Sequence, residues 1–119
     1  MAKILVIDDA EDTRDLVEQV LGDEHEVITL SSWVNVSHYI YHHDLDLILV
    51  DVNMPCLSGD TLTEILLKKV QSRPLNIVLF SGMDESELKR KAQAVNARGY
   101  LPKTFDADLL RLRVQHFLK

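Results

Sequence analysis

Short runs of Ile, Val and Leu recur along this chain, separated by segments with helical periodicity. The runs are Lys3 to Ile7, Val27 to Leu30, Leu47 to Val50, Ile77 to Phe80 and the brief pair Tyr100-Leu101. Most show no alternation with polar residues, which is typical of strands covered on both faces in a parallel sheet. Because crossovers between parallel strands are right-handed, the pattern predicts an α/β fold of five β-α units, with helices on both faces of one open sheet.

Capping signals mark where two of the intervening helices begin. Thr61 with Glu64, and Asp84 with Glu87, each match the spacing of a helix N-terminal capping motif. The segment from Trp33 to His43 is also predicted to be helical, although its β-branched and aromatic residues are weaker helix formers.

Length and charge narrow the class of protein. A chain of 119 residues, 46% of them apolar, is expected to form one domain over residues 1–119. The net charge of -6, without a dense Lys/Arg cluster, argues against direct nucleic-acid binding. No apolar run approaches the ~20 residues of a membrane span, and the first residues do not resemble a signal peptide. We therefore expect a soluble, cytoplasmic protein with no membrane partner.

Charged or hydroxyl side chains follow four of the five apolar runs. They are Asp8 and Asp9 after the first run, Asp51 after the third, Ser81 with Gly82 after the fourth, and Lys103 after the fifth. The carboxyl ends of parallel strands share one edge of the sheet, where ligands of such folds bind. These residues are therefore predicted to converge.

Three converging carboxylates need a compensating cation, because like charges repel strongly when partly desolvated. Mg²⁺ prefers oxygen ligands and keeps several waters, and Mn²⁺ is an alternative. Lys103 and Ser81 would then donate to an anion, and Gly82 would leave the backbone N–H accessible. One carboxylate remains as a nucleophile. The set predicts phosphoryl transfer onto an aspartate.

The chain as a whole resembles the receiver domain of two-component response regulators. Ser81 and Lys103 lie 30 and 52 residues beyond Asp51, as the family pattern requires. The matching pieces are Ile7-Asp8-Asp9, Val50-Asp51-Val52-Asn53-Met54-Pro55 with Gly59, Phe80-Ser81-Gly82 and Gly99-Tyr100-Leu101-Pro102-Lys103-Thr104-Phe105. The resemblance implies a flavodoxin-like, doubly wound, three-layer α/β/α fold with strand order 2-1-3-4-5.

The resemblance also implies a role for each site residue. Asp51 would accept a phosphoryl group from a phosphohistidine on a sensor histidine kinase or a histidine phosphotransfer protein. Lys103 and Ser81 would each bond a phosphoryl oxygen. In the metal site, Asp9, Asp51 and the backbone carbonyl of Asn53 would ligate Mg²⁺ directly, and Asp8 would act mainly through a bound water. The phosphoryl-binding backbone would comprise Asn53 and Gly82.

A conformational switch is implied as well. Ser81 would move toward the phosphoryl group and Tyr100 would rotate inward, changing the face formed by the fourth helix, fifth strand and fifth helix. An unknown downstream effector, or a second copy in a phosphorylation-dependent dimer, would bind that face. Such a module catalyses its own phosphorylation and dephosphorylation without a separate substrate. Thr104 stands where a proline usually follows the lysine, which disfavours a cis peptide bond there.

Several alternatives stay open at this point. A phosphatase of the haloacid dehalogenase type would need an aspartate at position 53, where Asn53 stands. A flavin binder on the same sheet would need a phosphate loop in place of the acidic residues after the first strand. The chain could also be a degenerate receiver, or a receiver fragment of a longer response regulator or hybrid histidine kinase.

His38 and His42 have the spacing of a helical metal chelate. The alternative interpretation is that they form a solvated helix face.

Overall fold

Strands and helices alternate strictly in the computed structural model, which describes residues 1–71 and 73–118. The elements are β1 (Lys3–Ile7), α1 (Glu11–Leu21), β2 (Glu26–Leu30), α2 (Val36–His42), β3 (Leu47–Asp51), α3 (Gly59–Lys69), β4 (Ile77–Ser81), α4 (Glu85–Ala94), β5 (Gly99–Pro102) and α5 (Ala107–Phe117). All five predicted strands are confirmed. None of the helices in the described residues has the length and apolar composition needed to cross a membrane.

The five strands form one parallel sheet in the order β2-β1-β3-β4-β5. This confirms the flavodoxin-like, doubly wound topology. The chain first builds outward from β1 to β2 and then continues on the other side of β1, where Ile4 pairs with Leu47. The strand order therefore reverses between β1 and β3. In such sheets a ligand crevice lies beyond the carboxyl ends of the strands at this point.

Alternate residues of the central strands pack in two directions, which produces the three layers. On one face, Ile4 and Leu49 pack with residues of α1 and α5 such as Val17 and Leu110. On the other face the strands contact α2 and α3 in one cluster, and Leu79 contacts α4 in a second cluster. The central strands are buried on both faces, which is why their sequences lack polar alternation.

The predicted capping box at the start of the third helix is wrong. α3 begins at Gly59, not after Thr61, and Ser58 is the residue that precedes it. The Gly59 N–H donates to the Val52 carbonyl at 3.0 Å, so the chain turns into the helix directly after the loop. The Ser58 hydroxyl lies 2.9 Å from the Thr61 hydroxyl and makes no capping bond to the backbone.

The predictions for the second and fourth helices agree better with the structure. The Asp84 carboxylate accepts a hydrogen bond from the Glu87 N–H, which confirms the N-terminal cap of α4. The segment predicted as helical from Trp33 to His43 is helical only from Val36 to His42. Asn35 has a left-handed backbone with φ 72°, which interrupts helical geometry just before Val36.

Gly59 brings α3 into close contact with the end of β3. A Cβ atom at this position would lie 2.0 Å from the Asp51 carbonyl oxygen and 2.9 Å from Val50 Cγ1. Neither neighbour is a flexible side-chain end, so a larger residue would have to displace the backbone. Gly82 differs, because a Cβ there would meet no heavy atom within 4 Å.

Gly59→Ala is therefore expected to destabilise the fold by roughly 1–3 kcal/mol, the usual cost of overpacking. Gly82→Ala, the matched control, is expected to stay within about 0.5 kcal/mol of the parent chain. Urea denaturation followed by circular dichroism measures both. Equal stabilities for the two variants would show that α3 does not depend on this contact.

Candidate functional site

The predicted site residues converge at the carboxyl edge of the sheet. Asp8 directly follows β1, Asp51 is the last residue of β3, Ser81 is the last residue of β4, and Lys103 directly follows β5. Each strand ends at the same edge because all of them are parallel. The prediction that these residues meet is confirmed for the three carboxylates and the lysine by the distances between their atoms.

Three carboxylates form a compact acidic cluster at the strand-order reversal. Asp8, Asp9 and Asp51 each contribute an oxygen, and these oxygens all lie within 4.8 Å of one another. Asp8 is fully buried and Asp51 is 4% exposed, whereas Asp9 is exposed. The cluster is therefore buried on the side of the sheet and open to solvent through Asp9.

Lys103 reaches across the sheet edge into this cluster. Its Nζ lies 2.8 Å from Asp8 Oδ2 and 3.5 Å from Asp51 Oδ1. The backbone N–H of Lys103 donates to the Ser81 carbonyl at 2.9 Å, and its ammonium lies 5.5 Å from the centre of the Phe80 ring. Lys103, which follows β5, is therefore held in place by contacts with β4.

The loop that carries Asp8 is held by three further hydrogen bonds. The Asp8 N–H donates to the Leu30 carbonyl at 3.0 Å, and its Oδ1 accepts from the Ala10 N–H at 2.9 Å. The guanidinium of Arg14 donates to the Asp8 carbonyl at 2.7 Å. Sequence reasoning missed Arg14. Its location on the first turns of α1, six residues after Asp8, was the available signal.

Burial and charge repulsion perturb the titration of the cluster. Burial, reinforced by the nearby Asp8 charge, raises the pKa of Asp51 to about 6, against the opposing effects of Lys103 and the Asn53 N–H. Burial also acts to lower the pKa of Lys103. The short ion pair with Asp8 and the charge of Asp51 outweigh that effect, so the pKa of Lys103 is raised overall.

The residues present fit a hard divalent cation. Within the described residues, Asp8 Oδ2 is buried and accepts no hydrogen bond of normal geometry, and Lys103 is its ion-pair partner. One ammonium cannot neutralise three carboxylates. Carboxylate oxygens are the ligands that Mg²⁺ and Mn²⁺ prefer. The Asp8, Asp9 and Asp51 cluster could therefore hold such an ion, and the exposed Asp9 side leaves room for water ligands.

The backbone beyond β3 and β4 is open for a ligand. The Asn53 N–H donates to Asp51 Oδ1 at 3.3 Å, and Asn53 itself is exposed. The buried Ser81 hydroxyl accepts from the Met83 N–H at 3.2 Å. Gly82 is exposed and unobstructed. Backbone and hydroxyl groups at the ends of β3 and β4 can therefore form hydrogen bonds with an anion attached to Asp51.

Tyr100 lies on β5, away from the cluster and half-buried. It lines a cavity of about 400 Å³ between β5, α4 and α5, together with Glu85, Arg113 and Phe117. The described residues contain no cis peptide bond, so Lys103–Thr104, which the sequence left undecided, is trans.

This fold, with three carboxylates and a lysine at its switch point, is the arrangement of a receiver domain. Comparison with known sequences agrees. The family described as response regulator receiver domain matches residues 4–115. The chain belongs to this family, which decides against the phosphatase and flavin-binding alternatives.

Individual proteins show the same likeness. Over 116 residues the chain is 26% identical to the sensor histidine kinase TmoS of Ectopseudomonas mendocina, covering 98% of this chain but only 12% of the kinase. The crystal structure of the chemotaxis protein CheY4 of Vibrio cholerae is 29% identical, with a TM-score of 0.88 and 99% of both chains covered. The response regulator TrrA of Thermotoga maritima, solved in complex with Mg²⁺-BeF, is 26% identical with a TM-score of 0.82, covering 99% of this chain and all of TrrA.

Mg²⁺ is expected to raise the melting temperature of the chain, because an ion bound only by the folded state stabilises it. Asp9→Asn should remove most of this increase, since it deletes the exposed carboxylate of the cluster. Asp15→Asn, an exposed aspartate on α1, is the matched control. Thermal denaturation at constant ionic strength measures the effect. An equal Mg²⁺ response in Asp9→Asn and the parent chain would contradict the metal assignment.

Without divalent ions, the raised pKa of Asp51 should make stability depend on pH. The ordinary value is 3.8 and the folded value about 6. Between these two pH values the folded state keeps a proton that the unfolded state has lost. The free energy of unfolding therefore falls as pH rises through this interval, and the decrease is complete once the pH is above the folded value. Asp51→Asn should then be more stable than the parent chain at neutral pH, by about 1–3 kcal/mol, and no more stable near pH 4.

Urea denaturation in chelator-containing buffer at several pH values tests this expectation. Asp23→Asn, at an exposed position, serves as the control and should follow the parent chain at each pH. A stability difference between Asp51→Asn and the parent that does not change with pH would show that the Asp51 charge is not the cause.

Proposed function

We propose that this chain is the phosphoacceptor of a two-component phosphorelay, in which Asp51 takes a phosphoryl group from a phosphohistidine in a Mg²⁺-dependent reaction. One observation carries the proposal. A buried carboxylate at the end of β3 lies within 4.8 Å of two others, with an ammonium 3.5 Å away. The acidic cluster, the Lys103 ammonium and the fold together meet the requirements of phosphoryl transfer onto an aspartate.

The transfer can be written with all bonds accounted for. A carboxylate oxygen of Asp51 attacks phosphorus and forms an O–P bond, while the P–N bond to the donor imidazole breaks and that imidazole takes up a proton. With its pKa raised to about 6, Asp51 is mainly ionised at neutral pH and so available as the nucleophile. The product is a mixed anhydride, which water later hydrolyses. No separate substrate is required, so the module is a signalling domain.

The surrounding side chains bind and orient the phosphoryl group. When bound by Asp8, Asp9, Asp51 and the Asn53 carbonyl, Mg²⁺ or Mn²⁺ supplies positive charge for the phosphoryl oxygens. Lys103 exchanges part of its contact with Asp8 for a phosphoryl oxygen. The Ser81 hydroxyl donates to another oxygen, and the backbone N–H groups of Asn53 and Gly82 complete the set. Such preorganised donors usually contribute most of the catalysis in phosphoryl transfer.

The same chemistry would drive a switch. Movement of Ser81 toward the phosphoryl group frees space along β4 and β5, into which Tyr100 turns from the edge of its 400 Å³ cavity. The α4-β5-α5 face then changes shape for a downstream effector or for dimerisation. The extent of the change is limited by the difference in phosphoryl contacts between the two states.

The comparisons support this set of partners. TmoS is a sensor histidine kinase, and the TrrA complex contains Mg²⁺-BeF. We place residues 1–119 in a single receiver unit, either acting alone or as part of a longer response regulator or hybrid histidine kinase. A cytoplasmic location belongs to the same proposal. It agrees with the one exposed cysteine, Cys56, which has no partner in the sequence for a disulfide.

The central experiment incubates the chain with Mg²⁺ and a small phosphoramidate or acyl phosphate, followed by intact-mass spectrometry. The parent chain and the Asp23→Asn control are expected to gain one base-labile phosphoryl group, and Asp51→Asn none. Lys103→Met should slow uptake by roughly 10²-fold, the usual effect of removing one donor to a developing charge. Chelation of Mg²⁺ should stop uptake in every variant.

Circular dichroism and the urea midpoint separate chemical from folding effects. Full phosphorylation of a folded Asp51→Asn variant would overturn the assignment of the acceptor. Full phosphorylation of the parent chain in excess chelator would overturn the metal requirement while leaving the acceptor in place.

A further inference from the structure

A pair of histidines on α2 lies outside the acidic site and has no assigned role. His38 and His42 are four residues apart on the helix and so share one face. Their ring centroids are 4.4 Å apart, with the ring planes inclined by 42°. Both residues are exposed, and neither ring takes part in a hydrogen bond or ion pair among the described residues. We propose that His38 and His42 form a two-imidazole site for a divalent transition-metal ion, with Cu²⁺ as the preferred ion.

The ring separation is the first argument. Metal–nitrogen bonds to imidazole are near 2.0–2.1 Å, which puts each ring centroid about 3.2 Å from the metal. Two such rings would be about 4.5 Å apart if the bonds met at a right angle, and about 5.2 Å apart at the tetrahedral angle. The observed 4.4 Å is close to the first of these values, so the two rings are near enough to share one ion. Among the divalent first-row ions, Cu²⁺ binds nitrogen ligands most strongly.

The helix that carries the pair is held in place from its opposite side. Val36 and Ile40 are buried in the core against the sheet. Arg73 donates to the carbonyl of Ile40 and, at 2.8 Å, to that of His43, and so binds the C-terminal end of α2. The backbone positions of both imidazoles are therefore fixed before an ion arrives, which reduces the entropy lost on binding.

His43 is engaged elsewhere and is not part of the site. Its ring stacks on Tyr39 with the centroids 5.6 Å apart, and its Nδ1 lies 3.3 Å from Lys3 Nζ. The His38 and His42 pair is accordingly a two-ligand site, in which water completes the coordination sphere.

The first half of the chain carries most of its acidic side chains. The first 60 residues contain thirteen of the nineteen acidic side chains but only two of the thirteen basic ones. They form β1, β2 and β3 with α1, α2 and the first two residues of α3. α1 carries four of these acidic side chains and packs on the opposite face of the sheet from α2. The charge therefore gives the molecule a general attraction for a dication, which is not specific to α2.

The experiment titrates the full chain with Cu²⁺ by calorimetry, in saturating Mg²⁺ so that the acidic cluster does not compete. We expect one Cu²⁺ per chain, and His38→Asn and His42→Asn each to weaken binding at least about tenfold, as expected for loss of a ligand. His116→Asn, an exposed histidine on α5, is the matched control and should bind as the parent does. Electron paramagnetic resonance should show two coordinated nitrogens in the parent and one in each site variant.

Unchanged Cu²⁺ affinity in both site variants would overturn the proposal, as would loss of binding in Asp9→Asn but not in the histidine variants. Both substitutions lie on an exposed face, and an unchanged Mg²⁺-induced melting shift confirms that each variant is folded. The outcome is independent of the proposed phosphoryl transfer, which does not use α2.

Discussion

The mutual repulsion of Asp8 and Asp51, both buried at the strand-order reversal, is the constraint on which the rest of the structure depends. Two ionised carboxylates in a partly desolvated site are stable only beside positive charge. Lys103 provides some of it at 2.8 and 3.5 Å, but burial and the Asp8 charge still raise the pKa of Asp51. The residual negative charge makes the site suitable for a divalent cation.

Several contacts with the backbone hold these charged residues close together despite their repulsion. Arg14 and the Ala10 N–H hold the Asp8 loop, while Gly59 lets α3 approach the last residue of β3. Lys103 is placed by its bond to the Ser81 carbonyl. β5, which Lys103 directly follows, also carries Tyr100, so the site and the α4-β5-α5 face share one structural element. The proposed switch would use this shared element to connect the acidic edge with the α4-β5-α5 face.

Much of the fold could be predicted because its signals are local. The apolar runs identified all five strands, and the Asp84 cap is a contact between residues close in sequence. Predictions failed where a tertiary contact overrode a local preference. α3 starts at Gly59, since a backbone bond to Val52 sets the turn, and α2 is short, since Asn35 adopts a left-handed conformation. Arg14 was missed because its target is a backbone carbonyl, and its position six residues after Asp8 was a weak signal.

The sequence by itself determined the alternation of strands and helices and the identity of the residues at each strand end. It thereby determined that three carboxylates, a hydroxyl and an ammonium would share one edge, because parallel strands all end on the same side. Only the tertiary structure decided how deeply each carboxylate is buried, which one Lys103 contacts more closely and how near the two rings on α2 lie. Those properties depend on packing between segments distant in the chain, and desolvation and Coulomb energies change steeply over a few ångströms.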